Sequence, residues 1–418
     1  MILTLKIAFW ILLALLFYTY VGYGLVLAGW VWLRRRLGLG ASNRVSRADE
    51  DVLIPPRVAL VIPAYNERAC IEAKWNNSHQ LDYPAEYLRL VFVTEGSNDG
   101  TTEFLEEVCQ KRTSTFPQLT ILSGAVRRGK VEAINQAMDQ IKEDIVVFTD
   151  ANTTLNSLAI RNLVRHFQDP KVGAVAGEKR IKTLEKEALT GAGEGLYWKY
   201  ESLLKRLDTQ LHSVVGAAGE LFAIRPDLFR PVEKDILLDD FVITLRIAQM
   251  GYRVVYEPEA YALERPSLSL TDEKKRKVRI ATGGFQAMWR LRTLFDLSRH
   301  PLLSFQFVSH RALRWVVAPF ALVGVWLLSG LLMHWEQGIY TALWVSQLVF
   351  YGLAALGYWL ETQQRRSRVT FVPFYFSFMH WCVLLGLYRY LAVGVSSGIW
   401  EKVPRAAEQQ SFVSSPPS

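Results

Sequence analysis

The chain has 418 residues, half of them hydrophobic, and 48 lysines and arginines against 40 aspartates and glutamates give a formal net charge of +8. That length accommodates a domain with a sizeable core and further elements besides. Three scattered cysteines form no CxxC pair and no disulfide framework, and seven histidines show no HExxH spacing, so neither thiol nor zinc chemistry is indicated. The positive excess suits a protein facing anionic lipid; without a nucleic-acid-binding motif it does not point to nucleic acid.

The first element is apolar and uncharged from Ile7 to Leu33, long enough to cross a bilayer as a helix. Arg34, Arg35 and Arg36 close it. A secretory signal carries its charge in front and a small-residue cleavage site behind. Residues 1–36 therefore read as a retained anchor whose C-terminal end is cytoplasmic.

From 51 to 300 short β-rich runs alternate with amphipathic helical stretches. The strands are VALVIPAY (58–65), RLVFVTE (89–95), LTILSG (119–124), DIVVFTD (144–150) and VGAVAG (172–177). Between them lie ERACIEAKWNNSHQ, TTEFLEEVCQKR, KVEAINQAMDQIK and NSLAIRNLVRHFQ, with apolar residues at helical spacing. This alternation predicts an α/β domain with a mostly parallel sheet covered on both faces. Ligands of such sheets bind at the carboxyl ends of the strands.

Four of those ends are chemically unusual. The first strand runs into PAYNER with Glu67, and the second into TEGSNDGT with Glu95 and Asp99. The third leads to GAVRRGKV with Lys130, and the fourth to TDANTT with Asp150 and Asn152. Each alone matches ordinary turn or N-cap chemistry; together they bring acids and a lysine to one sheet edge. Gly124, Gly129 and Lys130 also fit the GxxxxGK phosphate loop, but Val131 stands where that loop needs a hydroxyl for magnesium. A lysine opening a helix still suits a diphosphate. Further on, KKRKVR (274–279) is the densest basic run, suited to a membrane surface or to a phosphorylated substrate.

After about residue 312 three apolar runs follow, spanning 312–396 and leaving a tail at 397–418. QQRRSR (363–368), between the second and third of them, marks a second cytoplasmic loop, and HWEQG falls on the opposite side. The last run contains Arg389 and either crosses or dips and returns.

PAYNER, xEGSNDGT, RxGK and a strand ending in an acidic motif, in this order, resemble the membrane-integrated family-two glycosyltransferases of GT-A fold, which include cellulose, hyaluronan and poly-N-acetylglucosamine synthases. The likeness continues through GAAGELFAIRP (216–226), ILLDDFVITLRIAQMGYRVVYEPEA (236–260) and the basic segment, covering about 56 to 405. The resemblance implies a nucleotide-sugar donor, UDP-linked first, with Ala64, Tyr65, Glu67 and Glu95 at the nucleoside and Lys130 near the diphosphate. Glu95 stands where the usual residue is aspartate. Asp150 becomes a ligand for Mg2+ or Mn2+ beneath the leaving diphosphate, with Asn152, in place of the usual second acid, either ligating or capping the next helix. Asp240, beside Asp239, takes the base that deprotonates the acceptor, giving inversion and a β-linked product. Processive synthases carry QxxRW; here Arg279 remains, the glutamine and tryptophan do not, and Trp289 lies too far along to replace the latter. That departure favours a short transfer onto a polysaccharide or lipid-linked acceptor, by a catalytic domain on the cytoplasmic side of the cell membrane.

Two other classes stay open. A member acting as a scaffold would account for Glu95, Asn152 and the missing QxxRW, although Asp150, Asp240, Lys130 and Arg279 are all retained. A transporter needs polar groups within its spans, and these spans carry few.

Overall fold

The computed structural model describes residues 1–38, 54–111, 117–181, 192–265, 269–363, 365 and 367–394, with the backbone alone for 192–198. The expected tail at 397–418 lies outside these residues. The chain divides into two compact units, one of residues 40–182, 208–268 and 395–418, the other of 1–39, 183–207 and 269–394.

In the first unit the described residues form one sheet of eight strands: β1 (Val58–Pro63), β2 (Leu88–Val93), β3 (Gln118–Leu122), β4 (Ile145–Thr149), β5 (Thr154–Leu155), β6 (Val172–Ile181), β7 (Leu221–Ile224) and β8 (Arg253–Glu264). Their spatial order is β3-β2-β1-β4-β7-β6-β8-β5. Strands β1, β2 and β4 are almost continuously apolar because helices cover both of their faces, and Leu60, Ile62, Leu90 and Phe92 are fully buried. All pairings among β1 to β4 are parallel.

The chain steps from β1 outward to β2 and β3, and then β4 lands on the other side of β1. Such a reversal opens a crevice beyond the carboxyl ends of the strands that flank it. Next to β4, however, β7 runs antiparallel, with Thr149 opposite Leu221. Phe148 and Phe222 stack across that pair with centroids 4.7 Å apart. Residues just before Leu221 thus meet those just after Thr149. The outer half is completed by β6 parallel to β8 and β5 antiparallel to β8. The mostly parallel pattern expected from the alternation is there, interrupted by β7 and the short β5.

The second unit is helical. Among its described residues four helices are long and apolar enough to cross a membrane: Ile2–Arg36, Pro301–Leu332, Ile339–Thr362 and Arg368–Ala392. Of the two readings of the last run, the structure has one continuous helix of 25 residues around Pro373. The second span begins earlier than the apolar run implied, passing through a π-helical stretch, Val308–Val317. An ion pair between Lys6 and Glu336 sets the start of the first span beside the loop after the second.

The basic run lies on the helix Leu270–Arg290, which Ser269 caps by accepting from the Asp272 N–H. Glu273 neutralises part of the run, lying 3.0 Å from Arg276 and 3.5 Å from Lys277. The helix packs on Arg368–Ala392 through small residues. A Cβ at Gly386 would fall 2.5 Å from that of Ala281, and Thr282 Oγ1 donates to the Gly386 carbonyl at 3.3 Å. Overpacking such a contact costs about 1–3 kcal/mol. Gly386→Leu should therefore lower the melting temperature in detergent by several degrees, whereas Gly352→Leu, with nothing within 4 Å of its Cβ position, should leave it unchanged.

Candidate active site

The first strand end is held by its neighbour. The Ala64 N–H donates to the Val93 carbonyl at 2.8 Å, and the Arg127 guanidinium lies 3.9 Å from the centre of the Tyr65 ring. Asn66 takes a left-handed φ of 52°, compensated by its N–H donating to Ser97 Oγ at 3.2 Å and its Oδ1 accepting from Asn98 N–H at 2.9 Å. Glu67 begins the helix Arg68–His79, its carboxylate accepting from the Cys70 thiol at 3.0 Å. It serves this local turn, and its expected contact with the donor stays a proposal.

Glu95, at the end of β2, is 5% exposed. One carboxylate oxygen pairs with Arg128; the other, Oε2, is buried without a hydrogen-bond partner. A buried acceptor left unmade is costly, so this atom is suited to an N–H or O–H brought by a ligand. The segment after β3 crosses directly over the next residue. Gly96 has φ +67°, and a Cβ there would meet the Arg127 backbone nitrogen at 2.5 Å, so only glycine fits.

At β4 the charges converge. Gly129, with φ +100°, turns the chain into the helix Lys130–Met138. Lys130 Nζ donates to Asp150 Oδ1 at 2.8 Å and lies 3.7 Å from Asp239 Oδ2. The antiparallel β7 supplies the wall: a Cβ at Gly219 would be 3.2 Å from Lys130 Nζ and 3.4 Å from Asp240 Oδ2. Asp239 and Asp240 form the first turn of the helix Asp239–Gln249, whose N-cap is Leu238. They contribute charge to the helix start without occupying the cap itself.

One ammonium thus faces three carboxylates. Burial alone would lower the Lys130 pKa, but Asp150, Asp239 and Asp240 outweigh it and hold the amine charged, above the ordinary lysine range. Burial, and next the charge of Asp239, push Asp240 up to about 7, against the opposing pull of Lys130. A carboxyl titrating near neutrality has the proton affinity that a general base needs.

Asn152 caps no helix: the N-cap of the following helix, Ala159–Val164, is Leu158. Its Oδ1 is instead buried with no hydrogen-bond partner. Among the described residues no group of three or more His, Cys, Asp or Glu could hold a metal. Asp150 with the Asn152 amide oxygen nevertheless offers hard oxygen donors, and magnesium-like ions take few protein ligands when phosphates and water supply the rest.

Lys74 is the residue that sequence reasoning missed. It is 2% exposed beneath the Asp150 turn, and burial draws its pKa down to about 7 against the pull of Asp150. Its signal was a lysine three positions after Ile71 on the inward stripe of an amphipathic helix. Arg279 belongs to the helical unit, half-buried on Leu270–Arg290, and its assignment to the donor rests on motif order alone. Trp289 is 63% exposed, with the Arg292 guanidinium 5.6 Å from its ring centre.

This geometry sits in a sequence that matches the profile described as "Glycosyltransferase like family 2" over residues 55–318. The chain belongs to that family. It is 28% identical over 269 residues to the poly-beta-1,6-N-acetyl-D-glucosamine synthase of Staphylococcus aureus strain COL, covering 62% of each chain. The Staphylococcus epidermidis synthase of the same name is 24% identical over 238 residues, or 56% of each. The match thus spans less than two thirds of these curated relatives. A solved mannosyltransferase from Pyrobaculum calidifontis, in complex with GDP-Man and Mn2+, superposes with a TM-score of 0.65 at 22% identity, covering 92% of this chain and 99% of that one. The family-two glycosyltransferase has the GT-A-like fold expected from its motifs.

The raised Asp240 pKa has a consequence for stability. Between its ordinary value of 3.8 and about 7 the folded state binds more protons than the unfolded one, so this group's contribution falls as pH rises. Asp240→Asn should raise the melting temperature of the ligand-free protein at pH 8, with the gain shrinking towards pH 5; equal effects at both would refute the shift.

Proposed function

We propose that this glycosyltransferase is an inverting enzyme, with its sheet unit on the cytoplasmic side of the membrane. It transfers a hexosyl or N-acetylhexosaminyl group from a nucleotide sugar, UDP-linked first, to a polysaccharide or lipid-linked acceptor. The observation that carries this reading is the meeting of Lys130, Asp150, Asp239 and Asp240 at the β4–β7 edge. The curated relatives favour an N-acetylhexosamine donor, and the three arginines closing the first span favour a cytoplasmic sheet unit.

In this reading the acceptor hydroxyl approaches Asp240, which takes its proton as the new bond to the anomeric carbon forms. The bond from that carbon to the diphosphate oxygen breaks, and its electron pair leaves with the diphosphate. Lys130 places positive charge beside that leaving group, and Asp239 holds Lys130 in place. Glu95 Oε2 accepts an N–H of the base or a hydroxyl of the ribose. Asp150 and Asn152 are the residues that would hold a divalent cation, Mg2+ or Mn2+, which supplies Lewis-acid neutralisation of the diphosphate. No covalent sugar–enzyme intermediate is needed, so an α-linked donor yields a β-linked product. The exposed Trp289 and the absent QxxRW favour addition of one or few sugars. A scaffold role without turnover has no support in the family match and is at odds with the intact charge cluster.

The test is nucleotide release by purified protein in lipid across UDP- and GDP-linked sugars, with sizing of the product. Asp240→Asn should lower kcat about 10^3-fold, within the range for a lost general base, while donor affinity stays within about twofold; unchanged turnover overturns the base. Asp150→Ala should abolish metal-dependent nucleotide binding. Release from no donor in the panel would overturn the enzyme reading altogether.

A further inference from the structure

We propose that Lys74 is a positioning residue, which through Thr149 and Thr153 locks the turn carrying Asp150 and ties it to the Gly219–Glu220 backbone beside Asp240. The inference rests on reading Asp150 as a cation ligand.

The helix Arg68–His79 presents three polar side chains to the interior: Lys74, Asn77 and Ser78, all less than 9% exposed. Ser78 only returns a bond to the Lys74 carbonyl in its own helix, at 2.9 Å. The other two reach the β4–β5 connection at its two ends. Lys74 Nζ donates to Thr149 Oγ1 at 3.0 Å, to the Thr153 carbonyl at 3.0 Å and to Thr153 Oγ1 at 3.3 Å. Asn77 pairs with the Leu155 backbone in both directions, each bond 2.8 Å. The segment from Thr149 to Leu155, which carries Asp150 and Asn152, is therefore clamped from a single helix.

Proton accounting gives Lys74 a role that Asn77 lacks. Each threonine hydroxyl has one hydrogen to donate. That of Thr149 reaches the Glu220 carbonyl at 2.9 Å, and that of Thr153 the Asp150 carbonyl at 2.8 Å. The two hydroxyl oxygens also approach each other to 3.1 Å, where either can donate to the other. Whichever way those hydrogens point, Lys74 Nζ bonds both hydroxyls and the Thr153 carbonyl. From this one nitrogen the bonds run through Thr153 to the backbone of the proposed cation ligand, and through Thr149 to the residue after Gly219, which walls Asp240. The proposed cation ligand and base thus share a single buried anchor.

Removing one partner from a buried hydrogen-bonded network leaves the remaining groups unpaired and is costly, so the three bonds of Lys74 hold the turn as a unit. A buried polar network satisfied in this way specifies one geometry of the turn. Groups that orient a metal ligand typically contribute 10–100-fold to metal affinity.

The experiment uses full-length protein in lipid nanodiscs, following Mn2+ binding by electron paramagnetic resonance with UDP present, and melting temperature in parallel. Lys74→Met, which leaves three buried acceptors without this donor, should weaken Mn2+ binding about tenfold or more and lower the melting temperature. Thr153→Val, which keeps Lys74 but breaks one relay, should weaken Mn2+ in the same direction and answers the question if Lys74→Met does not fold. Asn77→Ala should lower the melting temperature with less effect on Mn2+. Wild-type Mn2+ binding in Lys74→Met, or in Thr153→Val, overturns the proposal, as does an equal loss in Asn77→Ala. Asp150→Asn tests the underlying reading separately: if it leaves Mn2+ binding unchanged, the cation site is wrong, whereas loss there with no change in Lys74→Met refutes only the positioning role.

Discussion

The site depends on one register. Strand β7 is four residues long and runs against β4, with Leu221 opposite Thr149. That pairing delivers Gly219 and Glu220 to the place where the parallel half of the sheet ends in Asp150. A one-residue slip would turn every side chain of β7 to the other face, and the Phe148–Phe222 stack would be lost with it. The stack is thus a core contact with a functional consequence: it keeps the wall of the proposed acceptor side at a fixed height above the proposed cation side.

Lys130 makes that arrangement electrostatically tolerable. Three carboxylates in a partly desolvated pocket would otherwise repel one another, and burial together with the charge of Asp239 still raises the Asp240 pKa. Stability and chemistry pull in opposite directions here, since a group held near neutrality is costly to bury as an ion and useful for the same reason.

Much of this was legible in the chain. The buried parallel strands announce themselves as continuous apolar runs, and the rule that ligands gather at their carboxyl ends led to Glu95, Lys130 and Asp150 before any coordinates. Asp239 and Asp240 came only from the motif order, because an acidic pair at a helix start has an ordinary reading of its own. β7 was hidden for lack of length: LFAI has no periodicity to distinguish it from a loop, and strand direction is a tertiary property. Lys74 was hidden by its type, since a lysine in a helix is ordinarily a solvated one, and only its place on the inward stripe argued otherwise. The doubt over Asn152 narrowed because the helix it might have capped starts at another residue.

The pairing of Glu95 with Arg128 has a consequence for the range of donors. With one oxygen committed to the guanidinium, a single carboxylate oxygen is left for the proposed contact with base or ribose. Were that contact made to the base, a site reading it through one oxygen would distinguish nucleobases by shape more than by hydrogen-bond pattern. On the proposed reading, the Arg127–Arg128 segment would then tune which nucleotide is held while the residues proposed to act on the sugar stay unchanged.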